Sequence, residues 1–223
     1  MPVQTNINLQ GYLAQGLAGV SELWSYKTKN WATCVCAGDI DSDGEIEIIA
    51  GSRDGRVRAL TKRGDVRWER IIGLKEWVGA VAIIPQNREG KDVPMRVVVG
   101  TRDGRVYALD KDGKTIAKTG ERYGFAKDGK ALDAQEAEAF WFQGEHVIRE
   151  VLVNPERPTE IFIASEDRHV YLFDLESGVV RWKFATNGWI RALCAYDIDG
   201  DGVIETLLGS KDKHIYVLDQ DGN

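Results

Sequence analysis

Apolar positions along the chain fall in short runs, not at helical spacing. EIEIIAGSR (45–53), RVRAL (56–60) and DVRWERII (65–72) alternate or run continuously in Val, Ile and Trp, and each stops at a turn. Asp54-Gly55, Asp103-Gly104, Asp112-Gly113 and Asp221-Gly222 are turns of the kind that join antiparallel strands. The pattern predicts many short strands and an all-β fold.

The pattern also repeats. GDIDSDGEIEIIAGSRDGRVRAL (38–60) recurs without gaps from 196 as YDIDGDGVIETLLGSKDKHIYVLD. The same offset of 158 carries Trp24 onto Trp182, Trp31 onto Trp189, Cys36 onto Cys194 and Gly51 onto Gly209. VVVGTRDGRVYALDKDG (97–113) and IFIASEDRHVYLFDLESG (161–178) are two further copies. A repeated unit of four short strands over about 45 residues is the signature of a β-propeller blade.

The expected blades are 31–72, 77–118, 147–186 and 189–223, with an N-terminal extension at 1–21 and an insertion at 120–143. The last unit stops after its third strand, and Glu22–Thr28 reads as the missing fourth. The first expectation is four blades closed into a ring by the chain's own N-terminal strand, because closure removes exposed edges. Two alternatives stay open. One is a homodimer forming an eight-bladed ring, each N-terminal strand completing the partner's last blade. The other is a fragment of a larger propeller.

Two loops carry candidate chemistry. Asp39, Asp41, Asp43, Gly44 and Glu47 form D-x-D-x-D-G-x-x-E, and Asp197, Asp199, Asp201, Gly202 and Glu205 repeat it. Alternating aspartates in a tight loop converge their oxygens, which suits a hard cation, Ca²⁺ before Mg²⁺. The loop is not an EF-hand, because its twelfth position is Ala50 in one copy and Leu208 in the other. The middle blades lack the set, so two sites are expected.

The loop and its place between the first and second strands of a blade resemble the FG-GAP repeats of integrin-α-type propellers. The text DGRVYALDKDG (103–113) resembles PQQ-type quinoprotein repeats. The first resemblance implies calcium ligation by Asp39, Asp41, Asp43 and Glu47 and by Asp197, Asp199, Asp201 and Glu205. It also implies backbone carbonyls from Glu45 and Val203. No quinone-binding constellation is recognisable, so no dehydrogenase activity is implied.

On the opposite face, residues preceding each first strand meet the turns between second and third strands. Trp31, Trp77 and Trp189 then surround the axial entrance, beside Arg53, Arg102 and Lys211. Aromatic and cationic side chains in one ring suit a sugar, an anionic small ligand or a peptide; packing between blades is the competing role. The insertion is expected on this face, where Phe140, Trp141 and Phe142 form a lid, meet a partner or dock on the chain's own blades. Trp24, Trp68 and Trp182, on fourth strands, read as structural.

Composition narrows the function. The chain has 29 Lys+Arg against 35 Asp+Glu, a net charge of −6. With a pI near 5.2, bulk charge argues against nucleic acid or an anionic membrane as partner. No apolar stretch of about 18 residues suggests membrane insertion. Three cysteines, Cys34, Cys36 and Cys194, read as free thiols and so as a cytoplasmic protein, or an extracellular one if the chain is an excised fragment. No G-x-S-x-G, H-E-x-x-H or phosphate-loop motif occurs, so the expectation is a non-enzymatic calcium-binding propeller that binds a protein or peptide. A lectin-like carbohydrate or small-ligand binder is the alternative.

Overall fold

A computed structural model describes residues 22–72, 77–85, 97–116 and 141–223. It is all-β, with antiparallel sheets whose strands follow chain order. Blade 1 comprises β1 (Ala32–Gly38), β2 (Glu47–Ser52), β3 (Arg56–Leu60) and β4 (Val66–Ile71). Blade 2 comprises β5 (Val78–Ile83), β6 (Val97–Thr101), β7 (Arg105–Leu109) and β8 (Phe142–Gln143). Blade 3 comprises β9 (Ile148–Val153), β10 (Glu160–Ser165), β11 (His169–Asp174) and β12 (Val179–Ala185). Blade 4 comprises β13 (Ile190–Tyr196), β14 (Glu205–Ser210) and β15 (Ile215–Leu218). The β-propeller fold is the one that the repeat requires.

The repeat fixes detail as well as strands. Every first strand shifts register near its start, at Ala32/Cys34, Val78/Ala80, Ala164/Ser165 (against β9) and Ile190/Ala192. A bulge there increases local twist. Turns between second and third strands place one residue in the left-handed region: Gly55 and Gly104, then Arg168 (φ 73) and Lys213 (φ 74). The aspartate just before that residue accepts an N–H two positions on, as Asp54 does from Arg56 and Asp212 from His214. This side-chain turn tolerates the non-glycine residues of blades 3 and 4.

Apolar side chains are buried chiefly between blades. One cluster joins blades 1 and 2 around Ile49, Val57, Val78 and Tyr107; another joins 2 and 3 around Val98, Phe142, Ile148 and Ile163. A third joins 3 and 4 around Phe162, Val170, Leu193 and Leu208. Close approach depends on strand-two glycines. A Cβ on Gly51 would stand 2.4 Å from Val78 Cγ1, and one on Gly100 would stand 2.5 Å from Ile148 Cγ2.

Fourth-strand tryptophans latch blade 1 to blade 2 and blade 3 to blade 4. Trp68 Nε1 donates to Lys111 O at 2.8 Å, and Trp182 Nε1 donates to Gln220 O at 2.9 Å. Each indole lies against the glycine of the turn it grips, Gly113 (φ +74) or Gly222 (φ +81). Their structural reading is what the packing shows.

Two expectations need correction. The fourth strand of blade 2 is built from two pieces: Ile116 N donates to Ala108 O at 2.8 Å, and Trp141 N donates to Val106 O at 2.7 Å. The intervening chain therefore departs from within an outer strand, not from the connection to blade 3. Phe142 is 7% exposed and meets Tyr171 and Phe173 edge-on, and Trp141 Nε1 donates to Ile116 O. Trp141 and Phe142 are blade residues and not a lid; Phe140 lies outside the described residues. The second correction concerns closure. First strands pack in sequence, β1 on β5, β5 on β9 and β9 on β13, but among the described residues β13 does not pack on β1. Blade 4 has three strands, and 22–28 pairs with none of them. The described residues form an open arc, and 22–28 does not close it into a ring.

Gly79 tests how tightly the first strands are set. A Cβ there would stand 2.2 Å from the backbone oxygen of Ile148. Gly79→Ala is expected to cost about 1–3 kcal/mol, as overpacking does, and to lower the melting temperature by several degrees in a thermal melt.

Candidate functional site

The two carboxylate loops share one backbone design. Asp39 accepts N–H groups from Ser42 (2.5 Å) and Gly44 (2.9 Å), and Asp197 accepts them from Gly200 (2.6 Å) and Gly202 (2.9 Å). Ser42 and Gly200 occupy the left-handed region, as do Gly44 and Gly202. Asp43 caps Glu45 N and Asp201 caps Val203 N; Glu47 accepts from Ile40 N and Glu205 from Ile198 N. Burial works against ionisation of Asp39, but the N–H groups of Gly44, Ser42 and Asp41 outweigh it and hold its carboxyl below the ordinary range.

Carboxylate oxygens of Asp39, Asp41 and Asp43 lie within 4.8 Å of one another, and so do those of Asp197, Asp199 and Glu205. The loops differ in their countercharge. Arg67 on β4 donates to Glu47 Oε1 at 2.7 Å and pairs with Asp41. Asp41 Oδ1 is nonetheless buried without a hydrogen-bond partner. Among the described residues, no cationic side chain pairs with Asp197, Asp199 or Glu205. Arg67 was not singled out by sequence reasoning; its signal is Arg181, which stands one residue before Trp182 as Arg67 stands before Trp68.

Blade 3 shows what replaces the carboxylate set. Asn154 Nδ2 donates to Glu160 Oε2 at 2.9 Å, and Arg181 Nη1 lies 3.2 Å from Glu160. Asn and Arg there satisfy the buried glutamate that corresponds to Glu47. The matching loop of blade 2 lies largely outside the described residues.

The opposite face carries a ladder of rings and cations. The Arg53 guanidinium carbon stands 4.2 Å from the ring centroids of both Trp31 and Trp77, so Arg53 is held between them. Arg102 stacks on Trp77 at 4.2 Å, and Lys211 Nζ lies 4.4 Å from the Trp189 centroid. Backbone bonds repeat the arrangement: Arg53 N to Trp31 O, Arg102 N to Trp77 O and Lys211 N to Trp189 O. The predicted grouping of these six residues is present, with blade 3 as a gap: Val147 and Glu166 occupy the equivalent places, and Glu166 pairs with Arg149. Trp31 is 68% exposed and Trp189 43%. Arg53 Nε is buried without a partner. Beside Trp189, a cavity of about 290 Å³ is lined by Glu145, His146, Glu166, Asp167 and Arg168.

Comparison with known proteins gives a family and a fold. Residues 19–142, just over half of the chain, match the lambda-carrageenase beta-propeller domain family. This is a propeller family, in agreement with the repeat; FG-GAP and PQQ-type repeats stay resemblances of local sequence. No curated protein matches. Among solved structures, the computationally designed Ika4 protein superposes with a TM-score of 0.60 at 15% identity, over 90% of this chain and 98% of that one. At that identity the likeness shows the fold alone.

Arg67 is the countercharge of the 39–47 loop. In cation-free buffer, Arg67→Leu leaves Glu47 buried without its partner. The expected loss is roughly 3 kcal/mol, the low end for breaking a buried pair because Arg67 is partly exposed, read as a lower urea midpoint.

Proposed function

From a chain that belongs to the lambda-carrageenase beta-propeller domain family, we propose a binding module whose Trp–Arg face recognises an anionic saccharide and whose carboxylate loops bind calcium. The observation that carries the reading is Arg53 held between Trp31 and Trp77, with Arg102 on the far side of Trp77. Indole faces stack against the C–H faces of a pyranose, and guanidinium groups bond sulfate or carboxylate in a fork. A family named for a carrageenase favours polysaccharide. An acidic peptide is the second reading, favoured by the 68% exposure of Trp31 at the end of the ladder.

Binding, not catalysis, is the proposed role. His169 and His214 each place Nδ1 about 3.1 Å from the carbonyl oxygen of Asp167 or Asp212. Tyr171 and Tyr216 donate to the same two aspartates. An arrangement repeated in two blades belongs to the scaffold, which accounts for two of the three histidines.

The loops supply the cation sites. Convergent carboxylates with room for carbonyls and water suit six to eight oxygen ligands, hence Ca²⁺, with Mg²⁺ as the weaker alternative. The 197–205 loop has no arginine to displace and fills first; the 39–47 loop must release Arg67. Asp39, Asp41, Asp43 and Glu47, with the Glu45 carbonyl, hold one ion, and Asp197, Asp199, Asp201 and Glu205, with the Val203 carbonyl, hold the other.

Chelation by EGTA is expected to lower the melting temperature by about 5–10 °C at calcium levels near a hundred times the dissociation constant. Asp199→Ala should remove most of that shift and Asp41→Ala the remainder. An identical melt with and without calcium overturns the cation assignment.

Ligand recognition is tested by affinity electrophoresis in gels containing a sulfated or a neutral galactan. Retardation in the sulfated gel should fall at least tenfold in Arg102→Ala and Trp31→Ala, both at positions exposed in the single chain, with the melting temperature of Arg102→Ala unchanged. Unaltered retardation in both variants sinks the saccharide reading; retardation by an acidic peptide alone would favour the second.

A further inference from the structure

The segment 22–29 lies on blade 1 as the fourth strand of a preceding blade. Three contacts show this, each with a counterpart 158 residues later, where β12 lies on blade 4. Trp24 Nε1 donates to Lys62 O at 3.0 Å, as Trp182 does to Gln220 O. Tyr26 lies 5.7 Å from the Arg58 guanidinium, as Phe184 lies 5.3 Å from Tyr216. Lys29 N donates to Asp54 Oδ2 at 3.3 Å, as Asn187 N does to Asp212 Oδ2 at 2.9 Å. Among the described residues, the other three strands of that preceding blade are absent beside blade 1, and blade 4 shows no fourth strand.

The unburied faces match this vacancy. Val35 is 68% exposed, whereas its counterpart Leu193 is 8% exposed because blade 3 covers it. Cys36 packs toward blade 2, whereas its counterpart Cys194 is exposed. Gly51 is crowded by Val78, whereas a Cβ on Gly209 would meet only Ala192 of its own blade. On the free edge of blade 4, Ile215 is 82% and Val217 48% exposed.

We infer that two copies of this chain close one ring of eight blades, with segment 22–28 of each copy completing blade 4 of the other. Blade 4 then meets the partner's blade 1 through the contact that the chain already makes three times between its own blades. Two identical seams related by a two-fold axis close the assembly, so no edge is left for further copies. The ladder is completed as well: the free side of Lys211 meets the partner's Trp31, as the second side of Arg53 meets Trp77. The inference stands independently of what that face binds.

Light scattering on the 223-residue chain at tens of micromolar is expected to give twice the 24.9 kDa chain mass. Val35→Arg, at a position exposed in the single chain, should halve that mass while keeping the far-ultraviolet circular dichroism. Cys194 should react with a thiol reagent at least tenfold faster in the variant than in the wild type. A wild-type mass equal to one chain overturns the inference. So does a mass that grows beyond two chains with concentration, or a Val35→Arg protein that stays at twice the chain mass.

Discussion

Burial between adjacent blades is the constraint on which this protein depends. A four-stranded sheet of this size has two faces and too little depth to hide either. Its apolar side chains leave water only when the next first strand comes close, as Val78 does over Gly51 and Ile148 over Gly100. Stability is then approximately a sum over neighbouring blades, and the terminal blades each lack one neighbour. The tryptophan latches add direction to this packing, because an indole on one blade donates to a turn of the next.

The carboxylate loops follow from the same geometry. The first strand ends beside the start of the second, and a buried glutamate there, Glu47 or Glu160, accepts a bond from a neighbouring loop group. Such a glutamate needs positive charge nearby. Blade 3 meets the need with Arg181, and blade 1 has Arg67 for it together with three aspartates. Blade 4 keeps Glu205 and the aspartates, and among the described residues no arginine pairs with them. One position in the repeat thus spans a range from an arginine-paired glutamate to an acidic cluster without one as the fourth strand changes.

Much of this was legible in the chain. The segments 45–53 and 65–72 bracket β2 (Glu47–Ser52) and β4 (Val66–Ile71), because alternation and turns are local properties. The loop carboxylates and the six side chains of the Trp–cation face follow from repeat register alone. The interrupted strand of blade 2 was not legible, since Ile116 and Trp141 join the same strand across 24 intervening residues with no local signal of the pairing. Arg67 was hidden for a related reason: it reaches Glu47 from a strand 20 residues away. Closure was hidden because the angle between blades is set by packing across them, which no single repeat encodes.

The distribution of the loops along the arc connects these points. Both carboxylate loops belong to blades 1 and 4, the two that, among the described residues, have a neighbouring blade on one side only. These blades gain least from burial, so their first and second strands depend most on local bonds. A loop in which Asp39 or Asp197 gathers several N–H groups ties the end of the first strand to the start of the second, adding to what one adjacent sheet supplies. Blade 3, covered on both sides, keeps the same tie in a neutral form: Asn154 Oδ1 accepts N–H groups from Glu156 and Arg157, and buried Glu160 is met by Asn154, Arg157 and Arg181. The acidic loops therefore stand on the two blades that a single chain covers on one side only, the same blades that carry Trp31 and Trp189 on the opposite face.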